Sequence, residues 1–281
     1  MNILVTGAAG FLGRELTSQL LNKGHFVVGV TNSESKTQEI NFFNKHNNLK
    51  VYNMDISTSK LKLSHVMRVH NIEYVIHAAA MKHVRICEEN PTRAIEVNII
   101  GTKNIIEASL SNNIENIIVI STDKATNPSC VYGMTKHFTE KMLLEYNFSV
   151  FQGVNFFFST GSVLDIWEKQ RSQLKPISVS ERNMIRYFVP VDHVAQKIIS
   201  SLDERGKYIF NDKCYRIALH DLATAYKEYH SYHKQEKYND LSYEKLEEEI
   251  FYDIEVEESS LKTIKNLLQS FYDKKEQSTY L

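Results

Sequence analysis

The chain has 281 residues, a formal net charge of −1 and a hydrophobic fraction of 42%, which suits one large domain, or a domain with a smaller lobe, and argues against overall disorder. The balanced charge speaks against a nucleic-acid surface, and no run approaches the roughly 20 apolar residues that span a bilayer, so neither nucleic acid nor membrane is an expected partner. The three cysteines, Cys87, Cys130 and Cys214, are widely spaced without a Cys-x-x-Cys, which argues against a disulfide framework or a metal site and fits a cytoplasmic location.

The chain opens on a strand-like run at 3–6, too short and without the basic flank for a signal peptide. Gly7, Gly10 and Gly13 follow in a Gly-x-x-Gly-x-x-Gly pattern and lead into a helix over 11–22. This is the context in which a glycine loop holds a dinucleotide. One glycine makes the tight turn, one admits the pyrophosphate, one lets the helix pack close, and the helix N-terminus faces the phosphates. Gly7, Ala9, Gly10, Phe11, Leu12 and Gly13 are the expected cofactor contacts here.

A second strand at 26–30 runs into Thr31, Asn32 and Ser33, with Lys36 nearby. An NAD-preferring fold places an acid at this tip. Hydroxyls, an amide and a lysine suit a 2′-phosphate instead, so NADP(H) is expected, with NAD as the alternative. A third strand at 51–54 precedes Asp55 and Ile56, placed to meet the adenine. A fourth at 74–78 ends in His77, Ala78, Ala79 and Ala80, whose small residues let a cofactor lie close. Lys82 and His83 follow on the substrate side. A helix is expected over 92–113, with Asn98 able to fix an active-site lysine through water.

The fifth strand, at 117–121, contains the cofactor candidate Ile120 and ends in Ser121-Thr122-Asp123-Lys124. Ligands of open α/β sheets bind at these strand ends. Thr122 can hydrogen-bond a reacting oxygen. Asp123 and Lys124 add an acid and a base beyond what hydride transfer needs. The next helix, at 131–146, carries Tyr132 and Lys136 four residues apart on one face. An ammonium and an oxidised nicotinamide both favour the phenolate. Lowering a tyrosine by about three units takes about 4 kcal/mol. Such a tyrosine exchanges a hydroxyl proton while hydride moves to or from the nicotinamide.

The alternation of strand and helix predicts an α/β fold, a Rossmann-type doubly wound parallel sheet. The cofactor domain is placed at 1–150 with later return segments. A smaller substrate lobe and tail follow at 151–281, with a sixth strand expected at 154–158 and an amphipathic run at 261–271.

Together the glycine loop, His77-Ala-Ala-Ala-Met-Lys-His83, Ser121-Thr-Asp-Lys-Ala-Thr-Asn-Pro128 and Tyr132-Gly-Met-Thr-Lys136 resemble the extended short-chain dehydrogenases/reductases. Within these the chain resembles the polysaccharide-biosynthesis branch of UDP-N-acetylglucosamine 4,6-dehydratases and their relatives. The resemblance implies that Thr122, Tyr132 and Lys136 are catalytic. It implies that Asp123 and Lys124 are the acid and base of dehydration across C5–C6, and that Asn155 and Arg186 contact a UDP-sugar. It also implies a homodimer or larger homo-oligomer.

Two departures stand out. Gln152 replaces the arginine of the branch's Arg-x-Gly-Asn, and a later Pro-Gly-Glu-Lys segment is absent. With the cofactor half kept and the substrate half changed, the leading expectation is an NADPH-dependent reductase of the C4 keto group of a UDP-4-keto-6-deoxy-N-acetylhexosamine. The alternatives are the 4,6-dehydratase, an epimerase using the same Tyr–Lys pair, and a cofactor-sensing binding protein without catalysis.

Overall fold

The computed structural model describes residues 1–35, 37, 46–179, 184–238, 245–250 and 254–277. In chain order its strands are β1 (Asn2–Thr6), β2 (Phe26–Thr31), β3 (Leu49–Asn53), β4 (Tyr74–His77), β5 (Asn116–Thr122), β6 (Ser149–Gly153), β7 (Asn155–Phe156), β8 (Ser178–Val179), β9 (Ile185–Val189), β10 (Tyr208–Ile209), β11 (Lys213–Ala218), β12 (Lys237–Tyr238) and β13 (Glu255–Glu258). The α-helices among the described residues are α1 (Phe11–Asn22), α2 (Lys60–Val69), α3 (Val84–Glu89), α4 (Pro91–Ala94), α5 (Gly101–Leu110), α6 (Val131–Glu145), α7 (Val163–Ser172), α8 (Val191–Ser200), α9 (Leu219–Tyr229) and α10 (Leu261–Gln277).

The chain divides into two compact units, Met1–Gly153 with Val191–Phe210, and Val154–Pro190 with Asn211–Leu281. The first holds a seven-stranded sheet in the order β10-β6-β5-β4-β1-β2-β3, every neighbouring pair parallel. Helices cover such a sheet on both faces, so its central strands are apolar runs: Ile3, Leu4, Val5, Val75, Ile76, Ile117, Ile118 and Val119 are fully buried. The order reverses between β1 and β4, and the carboxyl ends of these strands flank the crevice where such folds bind ligands. This is the doubly wound α/β fold that the strand–helix rhythm predicts.

The second unit pairs β13-β11-β9-β7 in one sheet and β12-β8 in another. Its helices are pinned through Glu168 of α7, which accepts hydrogen bonds from Tyr226 of α9 at 2.6 Å and Tyr272 of α10 at 2.5 Å. Phe271 of α10 stacks on Phe158 with ring centroids 3.7 Å apart.

Two elements differ from the sequence reading. The expected helix over 92–113 is interrupted: α4 passes through a π-helical stretch, Ile95–Ile100, before α5. The expected strand at 154–158 is instead β6 at Ser149–Gly153 followed by the short β7. Ser149 and Gln152 are buried polar residues of β6 and break the apolar run that hydropathy would recognise.

Candidate active site

The β1–α1 turn is built as its glycines require. Gly7 has φ +69°, and a Cβ there would lie 2.8 Å from the amide nitrogen of Ala79. A Cβ on Gly13 would lie 2.1 Å from the Gly7 carbonyl oxygen. Side chains at either position would force the turn away from the β4 end or push α1 off it. α1 starts at Phe11 after Gly10, with no side-chain cap, so its first-turn amides are the donors a phosphate would use. Ala9 and Leu12 are buried beside this turn.

At the tip of β2, Thr31 is buried, Asn32 exposed and Ser33 half-buried. The Ser33 and Ser35 hydroxyls lie 3.1 Å apart, and Lys36 is outside the described residues. Asp55 has both carboxylate oxygens engaged: Oδ1 accepts from the Ser57 amide and hydroxyl at 2.9 and 2.6 Å, and Oδ2 from Arg93 at 2.6 Å. Burial works the other way, but these hydrogen bonds hold the carboxyl below its ordinary pKa. Asp55 thus anchors its own loop. Ile56 is buried, and its carbonyl accepts from Asn104.

Both ring nitrogens of His77 are engaged within the protein. Its Nδ1 lies 2.6 Å from Thr6 Oγ1 and its Nε2 2.9 Å from Thr102 Oγ1. Burial, reinforced by the Lys136 ammonium, pushes its pKa down to about 3, so the ring is neutral. His77 is the last residue of β4, and its ring is held between two threonines. The small residues that follow stay near the turn. Thr6 Oγ1, the same atom that meets His77, accepts the Ala79 amide at 3.2 Å, and Ala78 and Ala80 are half-buried beside it. Lys82 and His83 are exposed.

Asn98 is held by three side-chain hydrogen bonds among the described residues. It is 1% exposed, in the π-helical stretch. Its Oδ1 accepts the Met81 amide at 2.8 Å, and its two donors go to the Met81 carbonyl at 3.0 Å and Thr135 Oγ1 at 2.9 Å. Both side-chain donors of Asn98 are engaged in these contacts. It ties the segment after β4 to the turn of α6 that holds Tyr132 and Lys136.

The catalytic candidates converge at the C-terminal end of β5, where Ile120 is half-buried. Thr122 Oγ1 donates to Asp123 Oδ1 at 2.8 Å, and the Lys124 amide and ammonium approach the same oxygen at 2.9 and 3.4 Å. Asp123 Oδ2 is buried with no hydrogen-bond partner among the described residues. Gly133, unmarked in the sequence reading, lets α6 come this close: a Cβ there would lie 2.3 Å from the Lys124 carbonyl oxygen. Cys130 caps the helix, its Sγ accepting the Gly133 amide at 3.4 Å.

The sequence predicts a lowered tyrosine, but the protein's own field acts in the opposite sense. Burial, the Asp123 carboxylate and the thiols of Cys87 and Cys130 raise the Tyr132 phenol above its ordinary pKa, against a hydrogen bond with Thr122 that lowers it. Lys136 is 3% exposed, and burial pushes its ammonium down to about 8, against the opposing pull of Glu140. Asn155 and Arg186 belong to the second unit. Asn155 Nδ2 donates to the Tyr187 carbonyl at 3.0 Å, and Arg186 Nη1 donates to the carbonyls of Ile185, Lys245 and Leu246 at 2.8, 3.0 and 3.3 Å. These contacts hold that unit's backbone together.

The polysaccharide biosynthesis protein family matches residues 3–267. The chain belongs to this family. Within it, the chain is an extended short-chain dehydrogenase/reductase of the polysaccharide-biosynthesis branch. It is 32% identical over 237 residues to a UDP-N-acetylglucosamine 4,6-dehydratase (inverting) from Campylobacter jejuni, covering 80% of this chain and 70% of that one. Among solved structures it is similar to Pen from Bacillus thuringiensis, with a TM-score of 0.88 and 24% identity over 96% of this chain and 98% of that one. It is also similar to a UDP-glucose 4-epimerase from Thermotoga maritima, with a TM-score of 0.83 and 23% identity over 98% and 99%. These structures share the fold of this family member. Among its described residues no helix is long and apolar enough to cross a membrane.

Proposed function

We propose that the chain is a UDP-N-acetylhexosamine 4,6-dehydratase that works with a bound nicotinamide dinucleotide. One observation carries the reading: the acid and base that simple hydride transfer does not need, Asp123 and Lys124, are both assembled beside Thr122, and Asp123 keeps a buried oxygen without a partner among the described residues. The similarity to a dehydratase supports it over the C4 reductase expected from the changed substrate half. The glycine turn and the uncapped start of α1 fit the dinucleotide's phosphates. We favour NADP(H) over NAD because no carboxylate stands at Thr31, Asn32 or Ser33.

A bound nicotinamide would supply the hydride acceptor for C4 of the sugar and the hydride donor for C6. Tyr132 removes the O4 proton, Thr122 hydrogen-bonds that oxygen, and the Lys136 charge beside them favours the phenolate. Within the Asp123–Lys124 pair a proton first passes from the ammonium to the carboxylate. The neutral Lys124 amine then takes the C5 proton, made acidic by the new ketone. Protonated Asp123 gives its proton to the departing C6 hydroxyl, which leaves as water, and the Lys124 ammonium returns a proton to C5 as C6 is reduced. The test is incubation with UDP-N-acetylglucosamine: a 4-keto-6-deoxy sugar should form without net cofactor consumption. Activity confined to the 4-keto-6-deoxy sugar with stoichiometric NADPH loss would instead establish the reductase, whose support is the polar tip of β2.

A further inference from the structure

Glu140 lies one helical turn beyond Lys136 on α6 and is 2% exposed. Burying a carboxylate is costly unless it is compensated. Its hydrogen-bond donors among the described residues are all neutral. Ser121 of β5 donates to Oε1, as does Gln152 of β6 at 3.1 Å, and Tyr208 of β10 donates to Oε2 at 3.1 Å. Gln152 also reaches Thr126 Oγ1 at 3.1 Å. Three strands of the sheet therefore hold the Glu140 carboxyl with no cation among its donors, on the face of α6 that carries the buried lysine. Residues at i and i+4 on a helix are neighbours.

We propose that Glu140 is a positioning residue whose negative charge keeps the Lys136 ammonium protonated at neutral pH, and that the uncharged Gln152 leaves that charge undivided. The proposal rests on the reading of Tyr132 and Lys136 as a hydride-transfer pair. Other charged or titratable groups around α6 do not replace Glu140 in this role. His77 of β4 is neutral above a pKa of about 3. Asp123 of the turn after β5 is paired with Lys124, and its charge acts on Tyr132. Tyr208 of β10 is a donor. Burial pushes Lys136 down to about 8, and Glu140 is the group that pulls it back up. Losing that pull would lower the Lys136 pKa further.

Two variants test this from opposite sides. Glu140→Gln removes the charge and keeps the shape. Gln152→Arg keeps the carboxylate but gives it a cation. Each should move the Lys136 titration down by about one unit or more, read by NMR of the protein carrying 13C-labelled lysine, with the signal assigned by its loss in Lys136→Met. In both variants the alkaline fall of kcat/KM with UDP-N-acetylglucosamine should move down by the same amount, while KM for the sugar stays within about twofold. A lysine titration unmoved in both variants overturns the proposal, as does a uniform loss of activity with an unmoved alkaline limb. If Glu140→Gln does not fold, Gln152→Arg decides alone. If the wild-type protein leaves UDP-N-acetylglucosamine untouched, the substrate reading fails, and the lysine titration still judges the role of Glu140.

Discussion

Asp123 gives one carboxylate oxygen to Thr122 and Lys124 and holds the other buried without a partner among the described residues. An unsatisfied buried acceptor costs about 1–3 kcal/mol and calls for a compensating use. Protonating a leaving hydroxyl is such a use. Asp123→Asn should therefore lower formation of the 4-keto-6-deoxy sugar by about 10²–10⁴-fold, while hydride transfer from C4 survives as a transient rise in reduced-nicotinamide absorbance. Tyr132→Phe should abolish both signals and leave cofactor affinity within about twofold. Equal loss of both signals in Asp123→Asn would remove its role as the acid. Thr122, Asp123, Lys124, Tyr132 and Lys136 were legible in the sequence because one strand end and one helix turn bring them together. Glu140 was not, although it stands four residues after Lys136. Its meaning depends on Ser121, Gln152 and Tyr208, which only the folded sheet collects around it. The direction of the Tyr132 shift was also hidden, since it comes from burial and from Asp123, Cys87 and Cys130.

The π-helical stretch Ile95–Ile100 shows what an element adds to its residues. π-turns interrupt the helical ladder and recur at functional sites. Here the stretch holds Asn98, which grips both backbone groups of Met81 and the hydroxyl of Thr135. Asn98→Ala leaves the Met81 amide and carbonyl short of partners and should cost about 1–3 kcal/mol in urea unfolding. Activity should fall with stability, because α6 loses a tether beside Tyr132. A stability change below about 0.5 kcal/mol would contradict this role. Gly133→Ala places a methyl against the Lys124 carbonyl and should separate α6 from Asp123, lowering turnover more than stability. Periodicity revealed α6 and β5 because their patterns are regular. It missed the π stretch, whose apolar residues continue the helical spacing. It misplaced β6 because Ser149 and Gln152 face inward as polar residues.

At the scale of the molecule, the alternating rhythm of the first half was enough to predict the doubly wound sheet, because parallel strands buried on both faces leave continuous apolar runs. The second unit was not legible to the same degree. Its strands are short, and its main sheet pairs segments far apart in the chain, such as β11 with β9 and β13. His77, at the centre of the first unit, sets a global property. Its pKa is about 3 in the folded chain, against 6.5 for an exposed imidazole. The unfolded chain therefore binds the extra proton first, so the stability is complete above pH 6.5 and drains away as pH falls towards 3. The slope from this group is about 1.4 kcal/mol per pH unit. The wild-type protein should lose about 2 kcal/mol from it between pH 6.5 and 5 in urea unfolding, and His77→Gln, though less stable at pH 7.5, should show a shallower decline. The same slope in both proteins would contradict the assignment. The central claim, that the Tyr132–Lys136 pair and the Asp123–Lys124 pair act in one turnover, is tested most directly with UDP-N-acetylglucosamine deuterated at C4. The account predicts a 4-keto-6-deoxy product carrying the deuterium at C6 with no net change in cofactor; an unaltered substrate, beside NADPH-dependent reduction of the 4-keto-6-deoxy sugar, would contradict it.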